Sequence, residues 1–121
     1  MAEKLVFMVT HGPADAELAS IPFVMAAAAL ASDVEVVMGF QGDGVLLMSK
    51  GVADTVTAPE FVPLAKLLAT VQELGGKLLL CSPCLKSRGI AIPDDLIEGT
   101  EVVAAGRFIA EITSANSTLV Y

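Results

Sequence analysis

Two cysteines with two residues between them, Cys81 and Cys84 in the stretch KLLLCSPCLKSRG (Lys77 to Gly89), carry the most obvious reactive chemistry in this chain, and they are its only cysteines. A thiol becomes a strong nucleophile on ionising; it then attacks disulfides, takes up sulfane sulfur as a persulfide, or binds a soft metal. Locally the sequence reads as an apolar strand, Lys77 to Cys81, running into a short helix that stops at Gly89. Ser82 is expected as the N-cap, Pro83 as the first helical residue and Cys84 as the second. Both sulfurs then lie near free backbone N–H groups and the positive end of a helix dipole, which favours a thiolate or an equally anionic persulfide. Lys86 and Arg88 add positive charge one turn on.

Other readings compete. Two cysteines can be small buried hydrophobes, although cysteine is rare here and the loop is one where function is expected. A structural zinc site usually takes four ligands, and beyond Cys81 and Cys84 the chain offers only His11 and carboxylates, so a site would have to be completed across a subunit interface; neither a metal nor another cofactor is expected. CSPC shares its proline position with the thioredoxin-type redox motif, but that motif normally follows an early strand. His11, the single histidine, lies in the first strand-to-helix loop, where it either carries a proton, hydrogen-bonds a bound sulfur species, or is simply solvated. Asp43, in Gln41-Gly42-Asp43-Gly44, either meets a ligand or makes the turn, and the turn is the plainer reading. No Gly-Lys-Ser/Thr follows Gly42 and Gly44, no dinucleotide fingerprint follows the first strand, and no Gly-x-Ser-x-Gly elbow occurs. Nucleotide enzymes and serine hydrolases are therefore disfavoured.

The elements that must position these residues alternate. Residues 4–10 (KLVFMVT) form an apolar strand closed by His11-Gly12-Pro13. Asp15 to Ser32 reads as an Ala-rich helix with Asp15 and Glu17 near its start, Pro22 either kinking it or marking its first turn, and a later half apolar all round. Asp33 to Phe40 is a second strand. Val45 to Lys50 reads as a short helix stopped by Gly51. Thr57-Ala58-Pro59-Glu60 looks like the entry, with a capping box, to a helix reaching about Leu74, whose inner face holds Phe61, Leu64, Ala65, Leu68 and Val71. After the Lys77 strand come one helical turn at Pro93 to Ile97, a strand at Thr100 to Val103, a helix at Ala104 to Ala115 with Phe108, Ile109 and Ile112 inward, and a strand at Thr118 to Tyr121. Met8, Met25, Met38 and Met48 are expected as core filler. The alternation predicts an α/β domain with a mostly parallel, five-stranded sheet covered on both faces. Right-handed crossovers then gather the strand-to-helix loops, and with them the chemistry, at the carboxyl edge.

The 121 residues are expected to form one domain, residues 1–121. They are 55% hydrophobic with mean hydropathy +0.72, more apolar than one small domain easily hides, so a homo-oligomer is expected. Ile21 to Ala31 is uncharged over only about eleven residues where a bilayer span needs about twenty, and Met1-Ala2-Glu3-Lys4 leads straight into strand-like sequence without a leader pattern. A cytoplasmic protein away from the membrane is expected. Fourteen acidic against seven basic residues, net −7, argue against nucleic acid as a partner.

With the third strand and its cysteine loop in place, the chain resembles the DsrE/DsrF-like family of small sulfur-relay proteins, which includes the TusD-type sulfurtransferase subunits. The resemblance rests on the first strand opening into THGP, the Ala-rich helix, the GFQGDGV segment, Gly75-Gly76 before the third strand, the spacing from Cys81 to Gly89 in Ser87-Arg88-Gly89-Ile90, and the closing EVVAAGRFIAEITSANSTLVY. It implies a three-layer α/β/α sandwich, assembly into trimers, hexamers or mixed oligomers, and transfer of sulfane sulfur as a cysteine persulfide between donor and acceptor proteins. By position the carrier of the family corresponds to Cys81, whereas many members have no partner at the place of Cys84. The expectation is therefore a sulfurtransferase-like carrier that holds persulfide on Cys81, with Cys84 assisting or resolving it and with His11, Gln41, Asp43, Ser82, Lys86 and Arg88 as supporting residues. A dithiol redox protein and an oligomeric module for a small ligand or metal are the alternatives.

Overall fold

Three apolar runs become the centre of one sheet. In the computed structural model, which describes residues 3–121, they are β1 (Lys4–Val9), β2 (Glu35–Phe40) and β3 (Lys77–Cys81). Met1 and Ala2, read above as the lead into the first strand, lie outside the described residues. Two shorter strands, β4 (Thr100–Val103) and β5 (Ser117–Val120), complete the order β4-β3-β2-β1-β5. Every pairing is parallel, with Val6 opposite Val37, Phe40 opposite Leu80 and Phe7 opposite Leu119. Central strands of a parallel sheet are covered on both faces, which is why β1, β2 and β3 need unbroken apolar sequence.

Helices α1 (Ala16–Ala31), α2 (Leu64–Glu73) and α3 (Ser82–Ser87) lie on one face, and α4 (Ala105–Thr113) lies on the other, giving the expected α/β/α sandwich. The larger core packs Phe7, Met38, Phe40 and Leu80 against Phe23, Leu64, Leu68 and Leu85; the smaller one packs Val6, Met8, Val37 and Leu79 against Phe108. The chain steps from β1 outward to β4 and then returns through α4 to lay β5 beside β1. All five strands thus end at the same edge.

Several boundaries differ from the sequence reading, each for a local reason. Asp15 does cap α1, its carboxylate accepting the N–H of Leu18 at 3.1 Å, but Pro22 lies in the helix interior, buried in the core. The expected helix entry at Thr57 is wrong: Glu60 has φ +69°, a left-handed turn that cannot form a capping box, and α2 starts only after Pro63. Phe61 therefore lies off the helix, and Leu67 joins Leu64, Leu68 and Val71 on the buried face. The short helix expected at Val45 is a 3-10 helix that begins earlier, at Gly42, so that Gly42-Asp43-Gly44 is its first turn. Met25 is 42% exposed on α1, unlike the buried Met8, Met38 and Met48. Ile109 is 59% exposed, and buried Glu111 takes part of the inner face of α4 instead, because Lys4 Nζ and Arg107 Nε reach its carboxylate at 2.5 and 2.7 Å.

Candidate functional site

The strand order puts the loops after β1, β2 and β3 side by side at the carboxyl edge. Ladder pairing between β2 and β3 ends at Phe40 and Leu80, so the loops beyond must be held together by other contacts. The Gln41 N–H donates to the Val9 carbonyl at 3.1 Å, and the Gln41 carbonyl accepts the N–H of Gly44 at 3.0 Å, which closes the 3-10 turn against the end of β1. The approach is close enough to require glycine. A Cβ at Gly44 would lie 2.1 Å from the Val9 carbonyl oxygen, and one at Gly12 would lie 2.5 Å from that of Asp43.

Cys81 ends β3 and occupies the N-cap position of α3, without a side-chain capping bond; Ser82 is the first helical residue and Pro83 the second. The expected frame is thus shifted by one, and Cys84 is the third residue of the helix. At six residues α3 has little dipole of its own. The N–H that reaches a sulfur comes from a different loop: Gly42 donates to Cys84 Sγ at 3.3 Å. Arg88, at the end of α3, places Nε and Nη2 at 3.1 and 2.9 Å from Asp43 Oδ1 and Nη1 at 3.2 Å from the Cys84 carbonyl oxygen.

These contacts divide the two thiols, both of which are free and half-buried. Burial tends to raise the proton affinity of Cys84, but hydrogen bonds from Cys81 and from the Gly42 N–H, together with the Arg88 charge, outweigh it and hold the Cys84 thiol below its ordinary value. Cys81 is pushed upward, first by burial and then by donating its own proton to Cys84. The two shifts run in opposite directions, so Cys84 is the thiol of the pair that ionises first as pH rises.

Of the expected supporting residues, Arg88 reaches the Cys84 carbonyl, Asp43 is joined to the cysteine through Arg88, and Gln41 acts through its backbone. His11 lies in the adjoining loop, half-buried, with Nδ1 shielded from solvent and without a hydrogen-bond partner. Ser82 is half-buried and Lys86 is exposed. Gly42 is the residue that the sequence reading passed over: it was weighed as part of a phosphate loop and dismissed, whereas its peptide N–H is what meets the sulfur. Its place in the loop directly after a central strand was the available signal. Among the described residues no three His, Cys, Asp or Glu side chains converge as a metal set, and no helix is long and apolar enough to cross a membrane.

The model of the DsrE/DsrF-like family matches residues 3–121. The chain belongs to the DsrE/DsrF-like family. Two curated relatives from Methanocaldococcus jannaschii are similar to it: the uncharacterized protein MJ0760, 31% identical over 94% of this chain, and the uncharacterized protein MJ0989, 29% identical over 98%. The chain spans 41% of the length of the first and 99% of the second. Among solved structures, this DsrE/DsrF-like chain superposes on the ychN protein from E. coli with a TM-score of 0.82 at 21% identity, covering 98% of this chain and 99% of that one. A protein of unknown function, MTH1491 from Methanobacterium thermoautotrophicum, gives 0.75 at 17% identity, again with coverage of 98% and 99%. At such identities the likeness is one of fold.

Proposed function

We propose that this protein is a cytoplasmic sulfur carrier, one domain over residues 1–121, that accepts sulfane sulfur as a persulfide on Cys81 and discharges it with the help of Cys84. Membership of a family generally linked to sulfur relay supports the substrate class. The observation that carries the reading is the placing of the two free thiols at one edge, Cys81 at the end of β3 and Cys84 in the first turn of α3, with the Gly42 N–H on the Cys84 sulfur at 3.3 Å.

In loading, Cys81 Sγ attacks the terminal sulfur of a donor persulfide while its proton passes to the Cys84 thiolate. The S–S bond of the donor breaks and the donor thiolate leaves with the electron pair. Cys84, once it has lost its proton to water, attacks Cys81 Sγ. The two cysteines become joined as a disulfide, and hydrosulfide leaves with the electrons of the persulfide bond. A thiol reductant then restores the dithiol by accepting the disulfide.

Mass spectrometry after treatment with a small-molecule persulfide tests this. Wild type is expected to gain one sulfur atom and then lose it with formation of the disulfide; Cys84→Ser is expected to keep it, and Cys81→Ser not to hold it. No added sulfur on either wild type or Cys84→Ser would overturn the reading. If wild type still formed a reversible Cys81–Cys84 disulfide, the protein would be a dithiol redox component, a second reading favoured by the closeness of two free thiols.

The carrier is read as a homo-oligomer, trimer or hexamer. Val24 and Met25 on α1 and Val120 on β5 are exposed, and an apolar groove of about 310 Å³ between Leu5, Phe7, Met25, Ala29 and Leu119 lies beside them. A second copy of the chain supplies matching apolar cover.

A further inference from the structure

We propose that the Asp43–Arg88 ion pair is a clamp that holds the Gly42 N–H against the Cys84 sulfur, which makes Asp43 and Arg88 positioning residues for Cys84. The inference rests on the reading of Cys84 as the thiol that discharges Cys81, and it concerns how the fold keeps the Gly42 N–H on that sulfur.

The need for a clamp follows from the topology. Gly42 lies after β2 and Cys84 after β3, and the ladder that joins these strands stops at Phe40 and Leu80. One guanidinium bridges the gap. Two of its nitrogens grip a single Asp43 oxygen at 3.1 and 2.9 Å, and a third reaches the Cys84 carbonyl oxygen at 3.2 Å, so the residue next to Gly42 is tied to the backbone of the cysteine itself. A planar fork with several fixed donors can do this, whereas an ammonium group cannot. From behind, Gly12 and Gly44 bring the end of β1 into contact with the same turn, so Asp43 cannot shift toward β1 without a clash. The pair is of little use as a stabiliser: the Asp43 side chain is 61% exposed, and exposed ion pairs contribute little.

Charge alone would give Asp43 the opposite role. The titratable and charged groups that act at Cys84 are Cys81 and Arg88 from the β3–α3 segment and, through Arg88, Asp43 from the 3-10 turn; Lys86 lies on the same short helix and His11 in the loop after β1. Among them Asp43 is the anion, and through space it disfavours a thiolate. Its removal lowers the proton affinity of Cys84 if Asp43 acts only as a charge, and raises it if Asp43 acts as a clamp. The sign of the change separates the two.

The experiment follows the alkylation rate of Cys84 against pH in a Cys81→Ser background, where Cys84 is the only thiol. With Asp43→Asn added, the midpoint of the profile is expected to move up, and the rate at neutral pH to fall by roughly threefold to tenfold. Arg88→Lys keeps the charge but loses the fork, and is expected to move the midpoint in the same direction; Asp43→Glu is expected to restore part of the shift. Thermal melting shows that each variant is folded. A midpoint that stays put or moves down in Asp43→Asn overturns the clamp, as does an Arg88→Lys profile equal to that of the parent. Failure of the sulfur-carrier reading would appear separately, as absent sulfur loading on wild type and on Cys84→Ser.

Discussion

Cys84 is the more readily ionised thiol of the pair: burial opposes its anion, but Cys81 beside it, the Gly42 N–H from across the edge and the Arg88 charge outweigh that cost. Cys81 is pushed the other way, first by burial and then by its neighbour Cys84. The expected outcome is that, in wild type near neutral pH, Cys84 is alkylated before Cys81 and that its rate, which climbs with pH, does so from a lower pH than that of Cys81, because the thiolate is the reactive form. Peptide mass mapping after brief treatment with iodoacetamide at several pH values checks the order; preferential labelling of Cys81 would contradict it. At this scale the sequence was informative where chemistry is written in side chains. Cys81, Cys84, Asp43 and Arg88 could all be picked out by type and position. The bond from Gly42 could not, since its donor is a peptide group 42 residues away from the sulfur it meets.

At the scale of elements, the strands were legible because burial on both faces demands uninterrupted apolar residues, and β3 and β4 fall within the residues expected. The entry of α2 was not legible. Thr57, Pro59 and Glu60 have the composition of a capping box, but the left-handed Glu60 turns the chain away and leaves Pro63 to open the helix. Glu111 shows a similar limit. Periodicity alone puts apolar residues on the inner face of α4, whereas the buried carboxylate there depends on Lys4 from the far end of the chain. Hydrogen bonds from Lys4, and then from Arg107, hold this carboxyl below its ordinary value of 4.5. The stabilisation it provides is therefore complete above that value and is lost as pH falls through the lower folded-state value. Lys4→Met is expected to cost about 2 kcal/mol at neutral pH and to lessen the drop in melting temperature between neutral and acid pH. Melting curves of both proteins across that range measure it, and an unchanged acid sensitivity would show that Lys4 does not set it.

For the whole molecule, the alternation of strands and helices settled the α/β/α architecture, while the apolar composition pointed to surface that one copy does not cover. The structure locates such surface on α1 and beside β5, where Val24, Met25 and Val120 are 39%, 42% and 71% exposed. In sedimentation equilibrium the protein is expected to run as a multiple of its 12.5 kDa chain, and Met25→Glu to shift it toward the single chain without lowering the helix signal in circular dichroism. A wild type that stays monomeric at all concentrations would overturn the assembly. The low content of basic residues has a further effect at this scale: with a net charge of −7, Lys86 on α3 stands out against the acidic balance of the chain.

The donor at Gly42 is a main-chain group, and this bears on how such a site can vary over time. Replacing side chains in the turn does not delete a peptide N–H, so any residue that tolerates the φ of +54° found there can keep the bond to the sulfur. Insertion or deletion of one residue between Phe40 and Gly44 would instead carry the N–H out of reach while leaving both cysteines intact. At position 42 the turn is thus constrained in length more tightly than in composition, while Gly44 stays glycine for want of room.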